Sequence, residues 1–588
     1  MINVKKAFHD NFPKVVEKAP KPLTDTLIKS MQKIFHEKTF QDIYEKNHYL
    51  TGLDFADSML EHLRISYTVK PNEVKNIPST GRLMVIANHI TGASDAFSLV
   101  QLIGHARENK KVRVIVNGML MGMEQAREII IPVDNINGSI SRSSLRAITE
   151  ALNNEEAVII FPAGIVNRLT FKGIKDTLWK ASFLKFAQKT NTPILPIRVE
   201  ARNSIPFYLT SILLPKKVSG FLLPHEFATT HRRKALHFHI GKLIPVTSFS
   251  DRKRDTQEYV KMFYAHLYTL GTNKKEILKT ETTIISPHDK LRLKKEVEEA
   301  EFLGRTNDGK RIILVEFSKA PYLIKELGRT REISFRAIGG GTGTARDNDL
   351  YDTYYKHLVL WDDTDMDIVG AYRIGECERI ISEKGKEGLY TYNLCNFNEH
   401  FDEYCHNSVE LGRSFVQPKY WGTRALDTLW QGIGAYLASR PNIIYTYGTV
   451  TINAETPPKA VAALVYFYSH HFACKTNMMT AKTPYRFSDE NRKICAALFD
   501  HLDYKKGFRV LKKYLKEQGA VVPTLFKQYA ELYEEGAVRF FDFSVNEELH
   551  GVVEGFIMAD NSRMKETKKK RYIRALEHRN IMVSDRRA

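Results

Sequence analysis

Between residues 23 and 63 the apolar positions, Leu27, Met31, Ile34 and Phe35 among them, fall at mixed spacings of three and four, which predicts helices. Residues 1–70 are read as a helical lead-in. Short apolar runs then alternate with helical stretches, at 83–87, 112–116, 157–161, 194–199 and 236–240. Strands alternating with helices predict an α/β unit over 71–271. Residues 272–300 turn polar and charged, from Lys274 and Lys275 to Lys294, Lys295, Glu298 and Glu299. This predicts a linker over 272–305 that holds a solvated helix with opposite charges at helical spacing. Strand-like runs return at 312–317, 358–361, 368–373 and 445–450, with helical patterns around 320–335 and 423–438. A second α/β unit is expected over 306–588.

The length of 588 residues is several times that of a common domain and agrees with two units. Hydrophobic residues at 43%, with 11% aromatic and 26% charged, exclude a disordered or fibrous chain. Against 68 acidic residues stand 87 lysines and arginines, a net charge of +19. Such a field attracts nucleic acid, an anionic membrane or an acidic carrier protein, and composition does not choose among them.

No window reaches the roughly 18 apolar residues of a spanning helix, and the first twelve residues lack a signal-peptide core. Residues 205–224 are apolar around Lys216 and Lys217 and are read as a core strand and loop, with an interfacial segment as the alternative. Cys377, Cys395, Cys405, Cys474 and Cys495 show no paired spacing, so a reducing, cytoplasmic compartment is expected. Arg563, Lys565, Lys568, Lys569, Lys570, Arg571 and Arg574 form a basic tail suited to anionic lipid or an acidic carrier, or simply a solvated basic helix.

The run Asn88-His89-Ile90-Thr91-Gly92-Ala93-Ser94-Asp95 follows an apolar strand. His89 qualifies as a base for an alcohol or amine attacking a thioester if Asp95 takes its other ring proton, although a structural histidine at a strand end has the same appearance. The next strand ends in Phe161-Pro162-Ala163-Gly164-Ile165-Val166-Asn167-Arg168, a glycine turn and cation suited to a phosphate or carboxylate. In order and spacing over 83–245 these blocks resemble the acyltransferase family of bacterial glycerolipid synthesis. That family reads N-H-x-x-x-x-D and F-P-E-G-T-R. Here Asp95 lies one residue further from His89, and Ala163 replaces the glutamate associated with glycerol phosphate.

Both departures resemble the hemolysin-related branch that acylates lyso-ornithine lipid, as do Asp176, Trp179, Arg202-Asn203-Ser204 with Phe207-Tyr208, and residues 240–245. The resemblance implies His89 as base, Asp95 as its orienter, and Asn88, Phe161, Pro162, Gly164, Asn203 and Ser204 around the substrate. Arg168 would contact either the phosphopantetheine phosphate or the acceptor carboxylate.

Further on, Asp347, Asp349 and Asp352 follow a run of glycines after Arg336. They could neutralise a cationic substrate, and less readily a metal ion, since a calcium loop needs more oxygens in a tighter pattern. Residues 369–373, 410–416 and 420–426, with 541–543 and 553–555, resemble the acyl-homoserine-lactone synthase type of the GNAT fold over 320–576, and its ornithine N-acyltransferase relatives. By that resemblance the three aspartates and Arg373 bind the amino acid. Glu410 and Arg413 organise the catalytic strand, and Gly422 and Arg424 meet the pantetheine phosphate at a helix start. No side chain is singled out as the base.

Together the halves resemble the bifunctional ornithine lipid synthases. The second unit would pass a 3-hydroxyacyl group from acyl carrier protein to the α-amine of L-ornithine, and the first would acylate the 3-hydroxyl of lyso-ornithine lipid. The implied co-substrate is a phosphopantetheine thioester, with no metal and no bound cofactor. The implied setting is the inner face of the cytoplasmic membrane, with no nucleic acid. A glycine or other amino-acid lipid synthase shares nearly every motif. Further alternatives are a glycerophospholipid acyltransferase with an accessory GNAT-like domain and a nonenzymatic binder.

Overall fold

The computed structural model describes residues 4–5, 20–117, 124–133, 141–170, 173–213, 222–231, 235–250, 254–306, 308–474, 476, 478–547 and 551–574, and the statements below concern these. The chain divides into two compact units, Met1–Ser286 and Pro287–Ala588. Both are α/β.

The first unit carries β1 (Ser66–Val69), β2 (Leu83–Ala87), β3 (Val112–Asn117), β4 (Ile130–Val133), β5 (Ala157–Ile160), β6 (Arg168–Thr170), β7 (Gly173–Lys175), β8 (Ile194–Glu200) and β9 (Ala235–Ile240). Seven form a sheet in the order β1-β9-β8-β2-β5-β3-β4, while β6 and β7 make a hairpin. Only β8 and β9 are antiparallel neighbours in that sheet. A parallel sheet must be covered on both faces, and every residue of β2 and β5 is apolar and buried. Alternation sends Leu83, Val85 and Ala87 into one layer with Phe55 and Leu99, and Met84 and Ile86 into the other with Phe183 and Phe263.

The second unit carries β10 (Glu301–Arg305), β11 (Arg311–Val315), β12 (Lys356–Asp362), β13 (Asp367–Glu376), β14 (Cys395–Phe397), β15 (Ser408–Val416), β16 (Tyr445–Ile452), β17 (Met479–Ala481), β18 (Val538–Asn546) and β19 (Val552–Asp560). Its main sheet runs β10-β11-β12-β13-β15-β16-β19-β18, with β14 and β17 as a separate pair. The strands β15 and β16 are parallel, and their pairing spans only Ser408↔Tyr445 to Leu411↔Gly448. Both strands continue beyond that point, so the sheet is split there.

Two boundaries differ from the sequence reading. The lead-in does not end outside the sheet, because β1 pairs with β9. The charged stretch 272–305 is not all linker. Asp289 caps the helix Lys290–Glu298 by accepting the Arg292 N–H at 2.8 Å, and β10 is an edge strand of the second sheet.

Residues 205–213 are a helix, not a strand: Phe207 and Tyr208 are buried, while Ile205, Leu209 and Ile212 are exposed at helical spacing. The remainder of that segment, 214–221 with Lys216 and Lys217, lies outside the described residues, as do most of residues 1–19 and the tail beyond Arg574. No helix among the described residues is long and apolar enough to cross a membrane.

Candidate active sites

In the first unit the site forms where β2, the central strand, ends. Asn88 donates to the Val199 carbonyl at 2.9 Å and accepts the Val199 N–H at 2.7 Å. Its amide therefore fastens β2 to β8. The next residue, His89, stacks on Phe161 with ring centroids 4.1 Å apart, and its Nδ1 faces Asp95 Oδ2 at 3.3 Å.

Asp95 is wholly buried in the first turn of the helix Ala93–Ala106. Its Oδ2 also accepts the Ile90 and Thr91 N–H groups at 2.7 and 2.8 Å, and its Oδ1 accepts the Thr91 hydroxyl. Those donors fix both carboxylate oxygens in place. Gly92, at φ +76°, makes the turn that accommodates the extra residue between His89 and Asp95. With Nδ1 engaged, Nε2 is the ring nitrogen left for a substrate proton.

A second carboxylate joins this histidine. Asp176 accepts the His89 backbone N–H at 3.3 Å and the Trp179 indole N–H at 3.0 Å. Desolvation pushes its carboxyl up to about 6, against the pull of those hydrogen bonds and of His89. The sequence marks Asp176 by resemblance alone and gives it no role.

The turn after β5 brings Phe161 beneath His89. The Pro162 carbonyl accepts the Lys180 N–H at 3.0 Å, and Gly164, at φ +71°, returns its N–H to Phe161 at 2.9 Å. Arg168 opens the β6–β7 hairpin, its guanidinium 5.7 Å above the Phe207 ring, and burial lowers its pKa.

Asn203 and Ser204 turn out to be scaffold. Asn203 donates to the Ile90 carbonyl at 2.7 Å and accepts from His231 Nε2 at 3.1 Å, while His231 Nδ1 meets the Ser94 hydroxyl at 2.8 Å. Ser204 binds the buried Glu226 through its N–H at 2.9 Å and through its hydroxyl. These contacts hold the His89 loop in place.

In the second unit the site lies on one face of the sheet around the split. Opposite β13, a bulge between the pairs Arg373↔Gly412 and Ala371↔Phe415 puts Arg413 at φ +49°. Glu410 is buried and accepts the N–H groups of Tyr390 and Thr391 at 3.1 and 2.7 Å, together with the Tyr355 hydroxyl. It positions the Tyr390 loop.

The three aspartates do not form a free anionic pocket. Asp347 accepts from Arg331 Nε at 3.0 Å, and Asp352 accepts from Arg331 Nη2 at 2.7 Å. Asp349 and Asp352 both meet Arg373 Nη1, at 2.6 and 3.3 Å, while Arg413 Nη2 stands 3.8 Å from Asp347 and 3.5 Å from Asp349. Three guanidiniums thus match three carboxylates. Arg373 and Arg413 hold Asp349 below the usual carboxylate range, and Arg331, His357 and Arg373 do the same for Asp352, in each case against desolvation. Sequence reading missed the buried Arg331, which lies 16 residues before Asp347 on the helix Pro321–Arg336.

The guanidiniums retain capacity for a ligand. Arg373 lies 5.1–5.3 Å from the rings of Tyr351, Tyr355 and Tyr390. Its Nη2 and Arg413 Nε are buried without a hydrogen-bond partner among the described residues. Gly422, at φ +75°, and Arg424 directly precede the helix Ala425–Ala438. Among the described residues, no group of three or more His, Cys, Asp and Glu side chains could hold a metal ion.

One residue of this face went unassigned in the sequence. Glu554 on β19 is 3% exposed, and it accepts the Thr449 hydroxyl at 3.2 Å and the Asn546 amide at 2.8 Å. Its only signal in the sequence is its place in the segment 553–555.

Two family models match the chain: an acyltransferase model over residues 14–239 and an acetyltransferase (GNAT) domain model over residues 330–431. A glycine N(alpha)-acyltransferase of Phocaeicola vulgatus is 35% identical over 304 residues, covering 49% of this chain and 92% of that protein. A lyso-glycine lipid O-acyltransferase of the same organism is 28% identical over 235 residues, covering 39% of this chain and 83% of that protein. An L-ornithine N(alpha)-acyltransferase of Brucella abortus is 30% identical over 134 residues, covering 21% of this chain and 45% of that protein. The chain belongs to the family of the glycine N(alpha)-acyltransferases, and it is an N- and O-acyltransferase with both transfer units in one polypeptide.

Proposed function

We propose that the second unit acylates the α-amine of glycine with a 3-hydroxyacyl group from an acyl carrier protein thioester, and that the first unit then esterifies the 3-hydroxyl, giving a two-chain glycine lipid. The observation that carries this reading is the pairing of Asp347, Asp349 and Asp352 with Arg331, Arg373 and Arg413. Ornithine brings a second ammonium, a buried charge that is costly without a partner, and these three carboxylates are already matched by guanidiniums. Glycine needs only a cation for its carboxylate, and Arg373 and Arg413 have buried N–H groups to spare. The glycine-acting and lyso-glycine-lipid-acting relatives, each matched over most of its length, support the same acceptor.

In the first unit, His89 Nε2 takes the hydroxyl proton as the oxygen attacks the thioester carbonyl. Asp95 holds the tautomer, the C–S bond breaks as the C–O bond forms, and the proton passes to the leaving thiolate. Arg168 is the cation for an anionic group of acceptor or donor. A chain of net charge +19, with Ile205, Leu209 and Ile212 exposed on one helix, suits work at an anionic membrane surface, where the one-chain intermediate resides.

The test supplies purified chain with a 3-hydroxyacyl carrier thioester and either glycine or ornithine, and identifies the products by mass spectrometry. Acylglycine in excess supports the reading, and faster turnover of ornithine at equal concentration overturns it.

A further inference from the structure

An amino acid arrives as its ammonium form and must lose a proton before it can attack a thioester, yet the motifs name no group to take it. We infer that Glu554 is that acceptor, an inference that rests on the N-acyl transfer proposed above. Glu554 pairs with Thr451 across β16–β19, and Glu410 pairs with Tyr447 across β15–β16. Tyr447, Thr449 and Thr451 alternate along β16, so both carboxylates lie on one face of the sheet. Thr449, which donates to Glu554, is the first residue of β16 past the last parallel pair, Leu411↔Gly448. Glu554 thus stands where the sheet opens, on the face that carries Arg373 and Arg413.

The two carboxylates have different occupations. Two backbone N–H groups and a tyrosine hydroxyl hold Glu410, two of them at Oε2 and one at Oε1. Glu554 has one neutral hydroxyl and one neutral amide. Thr449 of β16 and Asn546 of β18 are its hydrogen-bond partners, and Arg413 of β15 and Tyr390 act on it electrostatically. Desolvation raises its pKa, with the amide of Asn546 and the charge of Arg413 opposing. A raised carboxyl is the stronger base. Asn546 also borders a cleft of about 190 Å³ lined in part by Asn393, Lys482 and Thr483, which puts Glu554 one side chain from open solvent.

The step balances. The substrate carboxylate lies against the guanidiniums of Arg373 and Arg413, and the Glu554 carboxylate takes one of the three ammonium protons. The free amine attacks the thioester carbonyl, a C–N bond forms and the C–S bond breaks. A second nitrogen proton ends on the departing sulfur, giving a thiol, an amide with one N–H and a neutral Glu554 that returns its proton to water.

The full chain is compared with Glu554→Gln and Glu554→Asp by following thiol release with glycine and, in parallel, with ornithine. Transfer to an added one-chain lipid reports on the first unit as an internal control. The expected result is a loss of about 10²–10⁴-fold in N-acyl transfer for Glu554→Gln near pH 7. That loss should shrink as rising pH deprotonates the amine in solution, O-acyl transfer should be retained, and Glu554→Asp should fall between. Unchanged N-acyl transfer in Glu554→Gln, or a loss that is the same at every pH, overturns the assignment. Wild-type turnover of ornithine alone overturns the acceptor proposal, and the Glu554 comparison is then read on ornithine.

Discussion

Asp176 Oδ1 accepts the backbone N–H of His89 at 3.3 Å, while Asp95 takes the ring of the same residue, so two carboxylates with opposite surroundings frame one histidine. Backbone donors surround Asp95, whereas desolvation raises Asp176 to about 6.

A raised carboxyl opposes folding once it ionises. The native state binds the Asp176 proton more tightly than the unfolded chain, so this contribution to stability declines as pH rises from about 3.8 to about 6. Asp176→Asn should raise the melting temperature of the first unit at pH 7.5 and give little change at pH 4. Residual solvent contact keeps the gain below about 3 kcal/mol, the value of the full shift. Thermal melts at the two pH values check this.

His89→Ala should abolish O-acyl transfer and spare N-acyl transfer, leaving the one-chain product to accumulate. Loss of a general base costs about 10²–10⁴-fold. Lipid mass spectrometry of a host lacking aminolipids, expressing the wild-type or variant chain, reads both products together.

Asp352→Asn removes the carboxylate shared by Arg331 and Arg373, both buried. Arg331 keeps Asp347 and Arg373 keeps Asp349, so the variant leaves the buried network one negative charge short, and the cost should stay below the roughly 3–5 kcal/mol of a fully broken buried pair. Chemical denaturation of the full chain should show this loss of stability, and assays should show N-acyl transfer lost with O-acyl transfer kept.

Gly422→Ala tests backbone conformation alone, because a Cβ there meets nothing within 4 Å while φ is +75°. The left-handed conformation should cost the variant about 1–2 kcal/mol. The same change should raise the KM for the carrier thioester more than it alters kcat, and steady-state kinetics separates the two.

Much of the first site was legible because its parts are local. His89 and Asp95 are one turn apart at a strand end, and Phe161 closes the neighbouring strand. Asn88, Asn203 and Ser204, expected around the substrate, are engaged by the Val199 backbone, the Ile90 carbonyl and Glu226, contacts that a sequence cannot show. The three aspartates were visible as a charge cluster, but their neutralisation depends on Arg331 and on strands β13 and β15, which only the fold brings together. Glu554 was hidden for the same reason, since it lies 141 residues from Arg413 in the chain (554 − 413). The helix Ile205–Leu213 escaped because a short apolar run has no period until one face is seen to be buried.

The way Asp95 is held has a consequence for the timing of catalysis. Two backbone N–H groups and the Thr91 hydroxyl anchor its oxygens, so the carboxylate cannot swing toward or away from the imidazole as that ring gains and loses a proton. The dipoles that stabilise the imidazolium are oriented when the chain folds, before any thioester or lipid arrives, and each turnover begins with that reorganisation complete.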